Sequence, residues 1–193
     1  FIMLFLQGTC SFIAFLILIT NSLCAKRKTA IFLLEVSAVL NLGAPIVYLT
    51  YEGVPGDMAR WFLNISRFLD YFSPLLMLLS FSLYLRDLLS HKTEASIRNK
   101  FLLAPAELVL LIGVILLIIS RFTGWYYFYD ELNNYHRAKG RIIATIIPGV
   151  CMILQIICIL SNYKKISKRV RVPLVLFLII PILSSVISFR THG

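Results

Sequence analysis

Apolar residues run along this chain in blocks, not in alternation. Six stretches, at 1–23, 30–50, 61–84, 101–122, 142–162 and 173–189, are apolar on all sides of a helical projection. Each is close to the length at which a helix crosses a hydrocarbon layer of about 30 Å. Helices are expected there because hydrocarbon leaves every backbone polar group to be satisfied within its own segment. The period-two alternation of a membrane barrel is missing. The pattern predicts an all-α, polytopic transmembrane helix bundle, with six spans in a single transmembrane domain over 1–193.

Composition agrees. The chain is 59% hydrophobic and 15% charged, with a mean hydropathy of +0.86, whereas soluble domains carry about 25% charged residues. It opens inside an apolar run, Phe1-Ile2-Met3-Leu4-Phe5, without a basic leader region or a small-residue cleavage site. The first block therefore reads as a clipped span and not as a signal peptide. The end at Phe189-Arg190-Thr191-His192-Gly193 is equally abrupt. The expectation is a fragment truncated at both ends.

A net charge of +10 raises the question of nucleic acid. The distribution argues against such a partner. Lys26, Arg27 and Lys28 fill the first connection, Arg86, Lys92, Arg98 and Lys100 the third, and Lys164, Lys165, Lys168, Arg169 and Arg171 the fifth. The second and fourth connections are mixed in sign. By the positive-inside rule the odd loops are cytoplasmic and the amino end is outside, in a multi-pass protein of the cell membrane. Gly53, Pro55 and Gly56 make the second connection a tight turn. Pro45, Pro74, Pro148 and Pro181 lie inside spans, where neighbouring helices can satisfy the freed carbonyls. Cys151 and Cys158 share a helix face at a spacing that excludes a disulfide within one helix. With Cys10 and Cys24 they read as apolar packing residues.

Candidate chemistry is concentrated in two places. In the third span Asn64, Arg67, Asp70 or Tyr71, and Pro74 recur every three to four residues and form one polar stripe. Charges at membrane depth usually face a bundle interior or a water-filled cavity. Arg67 and Asp70 are spaced to pair with each other. They serve as a packing ion pair, as the floor of an outward-facing ligand cavity, or, if the span starts later, as interfacial residues. The fourth connection is denser still. Arg121 precedes Trp125, Tyr126, Tyr127, Phe128 and Tyr129, and Asp130, Glu131, Asn133, Asn134, Tyr135, His136 and Arg137 follow. Aromatic residues at a membrane interface commonly form a belt. An aromatic wall with a few polar groups is also how small-ligand sites are built. His136 beside Asp130 and Glu131 adds a reading as a pH sensor.

Elsewhere, Ser37, Asn41, Pro45 and Tyr48 make a polar stripe expected to face the bundle interior. Glu35 and Glu107 lie near the basic loops, within reach of their lysines, and alternatively form a proton- or cation-coupling pair. No HExxH, GxGxxG, phosphate loop or CxxC is present. His91, His136 and His192 are too dispersed for one metal site. The residues point to no catalytic site, metal or cofactor within this stretch.

The segment Ile119-Ser120-Arg121-Phe122-Thr123-Gly124-Trp125-Tyr126-Tyr127-Phe128-Tyr129-Asp130-Glu131-Leu132-Asn133-Asn134-Tyr135-His136-Arg137 resembles one that recurs in seven-span amino-terminal sensor regions of bacterial signalling proteins. These are typical of anaerobic Firmicutes and precede GGDEF diguanylate cyclase or histidine-kinase output domains. The likeness extends over the basic first loop and the Arg67-to-Tyr71 segment. It departs at Ala138, where glycine is commoner. The resemblance implies a seventh span and a cytoplasmic output domain beyond Gly193, a homodimer, and an extracytoplasmic small ligand. That ligand would sit at Arg67, Asp70, Arg121, Trp125, Tyr127, Tyr129, Asp130, Glu131, Asn134, Tyr135, His136 and Arg137. The competing class is a small-solute or ion transporter that uses intramembrane Glu35, Asp70 and Glu107. A structural subunit of a larger membrane complex is a third.

Overall fold

The structure, a computed structural model, describes residues 28–90, 96–163, 166, 170–172, 174–177 and 179. Four helices carry the fold: α1 (Lys28–Tyr51), α2 (Asp57–Ser90), α3 (Ser96–Thr123) and α4 (Arg141–Ser161). Between α3 and α4 lies a hairpin of two short strands, β1 (Tyr127–Tyr129) and β2 (Tyr135–Arg137). All four helices are long and apolar enough to cross a membrane. The expected span at 1–23 lies outside the described residues, as does most of that at 173–189. Six spans thus become four among the described residues.

Two expectations are corrected. The span at 61–84 is part of a longer helix, since α2 runs from Asp57 to Ser90. At 1.5 Å per residue it reaches about 50 Å, well past a hydrocarbon layer of about 30 Å. Arg86, expected in a loop, is therefore helical. The fourth connection, irregular in an all-α reading, is instead a β-hairpin. Its pairing is Tyr127 with Arg137, Phe128 with His136 and Tyr129 with Tyr135.

α2 is central: α1 and α3 pack along it, α4 packs on α3, and α4 also touches α2. The α1–α2 contact has a simple origin. Ala30, Ser37 and Ala44 recur every seven residues in α1, as do Ala59, Ser66, Ser73 and Ser80 in α2, and all are buried. A seven-residue repeat keeps one face toward a partner, and small side chains let helix backbones approach closely. The serine hydroxyls are satisfied within their own helices, Ser37 Oγ donating to Leu34 O at 2.7 Å and Ser80 Oγ to Leu76 O at 2.7 Å.

The opposite faces are apolar and exposed. On α4, Ile142, Ile146, Val150, Ile153, Ile157 and Leu160 form one such stripe. In water a patch of this kind would promote association; hydrocarbon is its natural solvent.

The interior divides into two apolar clusters. One, around Leu63, Leu75, Leu110, Leu117 and Ile147, includes Tyr126, Tyr127 and Tyr129 of the hairpin. The other, at the far end, is built on Leu34, Phe81, Tyr84, Leu85, Leu103 and Ile159. Buried Gln155 ties α4 to α2 in between, its Nε2 donating to Leu78 O and to Ser82 Oγ, both at 2.8 Å. Cys151 and Cys158 are free and buried.

Candidate functional site

The hairpin is held by three sets of bonds. At its base, Tyr126 N donates to Ser120 Oγ at 2.8 Å, Ala138 N to Tyr126 O at 3.2 Å and Gly140 N to Trp125 O at 3.1 Å. Gly140 packs so closely that a Cβ there would stand 2.7 Å from the Trp125 carbonyl oxygen. Ala138 takes an ordinary backbone conformation, for Asn133 is the one non-glycine with positive φ among the described residues. The glycine commoner at that position is not needed here.

At its tip the turn is organised by Asp130. One carboxylate oxygen accepts from Leu132 N at 3.0 Å and Asn134 N at 2.8 Å. The other accepts from Asn134 Nδ2 at 3.1 Å and lies 3.0 Å from His136 Nε2. The His136 contact, followed by the Asn134 amide, holds the Asp130 pKa down to about 2. Asn133 follows in the left-handed region at φ 61°, which asparagine tolerates better than most residues. Its Nδ2 donates to Val54 O at 2.8 Å and Gly56 O at 3.2 Å, and Gly53 N donates to its carbonyl at 3.3 Å. The tip is thereby stitched to the α1–α2 turn.

The third set is aromatic. Side chains alternate across a strand, so Tyr127, Tyr129 and Tyr135 share the inward face while Phe128 and His136 stack outside at 5.1 Å. Tyr127 stacks on Tyr71 of α2 at 5.7 Å. Burial pushes its hydroxyl up to about 12, against the pull of Arg121 and Arg67. Tyr129 is raised as well, by burial first and with Arg67 opposing. Both are therefore neutral donors, directed at the carbonyls of Asn64 and Leu63 at 3.4 and 3.5 Å.

Beneath this cover lies Arg67. Its guanidinium carbon is 3.4 Å from the centroid of the Tyr48 ring, on α1, and 4.1 Å from that of Tyr135, on β2. Its Nη1 reaches Asp70 Oδ2 at 3.4 Å. The Tyr135 hydroxyl meets that of Tyr71 at 3.4 Å. Cation–π contacts of this kind are worth about 0.5–2 kcal/mol each, more when dry. Asp70 occupies a further special place. Pro74 has no N–H for the Asp70 carbonyl four residues back, and Ser73 Oγ donates to it instead at 3.4 Å.

The structure thus brings Arg67, Asp70, Tyr127, Tyr129 and Tyr135 together. Asp130, Asn134 and His136 form the turn above them, and Trp125 stacks on Tyr126 at the base at 5.8 Å. Arg121, Glu131 and Arg137 are exposed and make no side-chain hydrogen bond among the described residues. Tyr48, Tyr71 and Asn133 are additions to the expected ligand set. Tyr48 and Tyr71 already stood in the two polar stripes, which was their signal. Asn133 stands among the polar residues of the fourth connection, which is its signal.

At the far end Glu107 of α3 pairs with Arg86 of α2. The expected partner was a loop lysine, and the observed one is a helical arginine. Glu35 is exposed on α1. A small void of about 10 Å³, room for roughly one water, lies under the hairpin between Tyr71, Gly113, Tyr126 and Ile147. No protein family, curated protein or solved structure matches this chain.

Proposed function

We propose that this chain is the membrane-embedded sensory region of a bacterial signal-transduction protein. The hairpin end faces the outside and receives a cue. Six spans, and a seventh beyond them, carry its effect to a cytoplasmic output domain of GGDEF or histidine-kinase type, in a homodimer. The observation that carries the reading is the placement of Tyr135. This residue of an external-type hairpin lies against the charge of Arg67, inside a helix that runs on to the far end of the bundle. Anything that lifts or seats the hairpin changes the surroundings of that charge. A cue acts on such a switch only through its different affinity for the two arrangements. The resemblance of the 119–137 segment to bacterial sensor regions, and the loop charges that orient the bundle, support the same reading.

The test uses the full-length protein in native membranes. Tyr135→Ala removes the ring over Arg67, and Asn133→Ala unfastens the hairpin tip. Each should shift basal output, cyclic dinucleotide synthesis or autophosphorylation, severalfold at an unchanged protein level. Output equal to that of the native protein in both variants would overturn the proposal.

The transporter reading relies on free carboxylates along a path. Asp70 and Glu107 each have an arginine partner, which supports a structural or switching role for them instead. Proteoliposome uptake lost in Glu107→Gln would reverse that preference.

A further inference from the structure

We propose, independently of the sensory reading, that the void under the hairpin is a binding site for one ordered water, held by the Tyr126 hydroxyl and the Ala144 carbonyl. The water joins the hairpin base to α4.

The donor comes from the hairpin base. Tyr126 is 2% exposed. Its backbone is fixed on both sides, Tyr126 N donating to Ser120 Oγ at 2.8 Å and its carbonyl accepting from Ala138 N at 3.2 Å. Its ring packs on those of Trp125 and Tyr71, each 5.8 Å away between centroids. The hydroxyl at the end of this fixed ring is buried and has no hydrogen-bond partner among the described residues. A buried hydroxyl left unmet is costly, and folded proteins keep few of them. Tyr126 lines the void, which has room for about one water.

The acceptor comes from α4. Ala144 lines the same void. Pro148, four residues on and inside α4, has no N–H to return to the Ala144 carbonyl. The same gap at Pro74 is closed by the serine before it, since Ser73 Oγ donates to the Asp70 carbonyl at 3.4 Å. The residue before Pro148 is Ile147, whose side chain has no donor to lend. The neighbouring hydroxyl of Thr145 donates to the Arg141 carbonyl instead, at 3.4 Å. Ordered water is one of the groups that satisfy a carbonyl freed by proline in a transmembrane helix.

A donor without an acceptor and a carbonyl without its helical donor thus belong to the walls of one water-sized space. The Tyr126 hydroxyl donates to the water, and the water donates to the Ala144 carbonyl. A wholly apolar cavity stays dry, whereas two polar partners are enough to hold a water. The bridge fastens the hairpin base to α4 one turn beyond the backbone bond at Gly140, and it meets the polar group that Pro148 leaves open.

The full-length protein in lipid nanodiscs is used for two measurements. In the first, Tyr126→Phe and Pro148→Ala are made singly and together, and the thermal midpoint is read. Tyr126→Phe should lower it by a few degrees, because the hydroxyl is bonded through the water. Removing a hydroxyl that has no partner would raise it instead. Pro148→Ala returns an N–H to the Ala144 carbonyl, so in that background the loss caused by Tyr126→Phe should be clearly smaller. A midpoint unchanged or raised by Tyr126→Phe overturns the proposal, and so does an equal loss in both backgrounds. The second measurement needs no variant. Hydroxyl radicals made by a short X-ray pulse mark side chains beside a bound water even where bulk solvent does not reach. Read residue by residue, Tyr126 should be marked several times faster than Tyr84, which is 1% exposed and lies away from the void. Marking of Tyr126 as slow as that of Tyr84 overturns the proposal, even where the variants fail to fold.

Discussion

Two arginine–carboxylate pairs stand near opposite ends of α2, and they are built on different plans. Arg86 and Glu107 join two helices directly, α2 to α3. Arg67 and Asp70 lie three residues apart on one helix, so their bond links α2 only to itself. What connects Arg67 to the rest of the molecule is a set of tyrosines, the ring of Tyr48 from α1, the ring of Tyr135 from the hairpin and the hydroxyl of Tyr129 beside it. The far pair is a clamp. The hairpin-end pair is a charge whose fixing depends on a loop outside the helices. Two clamps would have tied helix to helix at both ends; here the hairpin-end charge takes its surroundings from the tyrosines packed over it.

The sharpest way to break the comparison is to remove each arginine. The Arg67 side chain is only 13% exposed and that of Arg86 is 39% exposed. Arg67→Ala deletes two ring contacts and leaves Asp70 without its bonded partner, at a cost of about 3 kcal/mol. Arg86→Ala breaks a half-exposed pair and should cost about 1 kcal/mol. Unfolding in mixed micelles with increasing denaturing detergent measures both. Equal losses, or a larger one at Arg86, would mean that the rings over Arg67 add nothing.

The same contrast sorts what could be read in advance. Block length alone places the four described helices, because an apolar run of twenty residues has little else to be. The ends of α2 escape that reasoning. Its terminal turns carry Asp57 and Arg60 at one end, and Arg86 and Asp87 at the other, and a hydropathy profile stops where charge begins although the helix continues. The Arg67–Asp70 pair is visible as an i, i+3 spacing. The partnership of Arg86 with Glu107 spans two helices and follows only from their register. The hairpin was hidden by its composition. Tyr127, Phe128 and Tyr129 are all aromatic, so their inward and outward alternation has no polar member to mark it. Only the Asp130-to-Asn134 turn chemistry hinted at it. That Tyr48 would meet Arg67 needed the antiparallel register of α1 and α2, which the seven-residue repeats of small residues suggest without placing any one ring.

Two glycines repeat the contrast at smaller scale. At Gly140, in the hairpin base, an added Cβ would meet the carbonyl oxygen of Trp125 at 2.7 Å and its indole ring at 2.8 Å. Neither can yield without moving the hairpin. At Gly113, between the helices, the nearest atom would be Ile147 Cγ2 at 2.8 Å, followed by Leu75 Cδ2 at 3.3 Å. Those are side-chain methyls and not backbone; Leu75 can turn aside, and the β-branched Ile147 must give way with its helix. Gly140→Ala should therefore cost about 2 kcal/mol and shift the Trp125 emission. Gly113→Ala should cost about 1 kcal/mol, as the helices shift slightly, and leave the emission unchanged. Similar emission changes in the two variants would deny the hairpin base its rigid fit.

The smallest effect expected is local and follows acidity. The Asp130 carboxyl is held at about 2 in the folded turn, below its ordinary 3.8, first by His136 and then by Asn134. A folded-state pKa below the unfolded one means that the ionised form stabilises the turn. That contribution is complete above about pH 4 and is lost as pH falls through about 2. Between those values the Leu132 and Asn134 amides lose a charged acceptor, the tip loosens, and the hold of Asn133 on Val54 and Gly56 weakens with it. Amide hydrogen exchange of residues 130–136, corrected for the intrinsic pH dependence, should show protection falling across that window, while α3 and α4 keep theirs. Asp130→Asn should remove the pH dependence and leave the hairpin uniformly less protected. A native hairpin whose protection stays constant down to pH 2 would mean that the tyrosine face alone seats it, with no help from the turn.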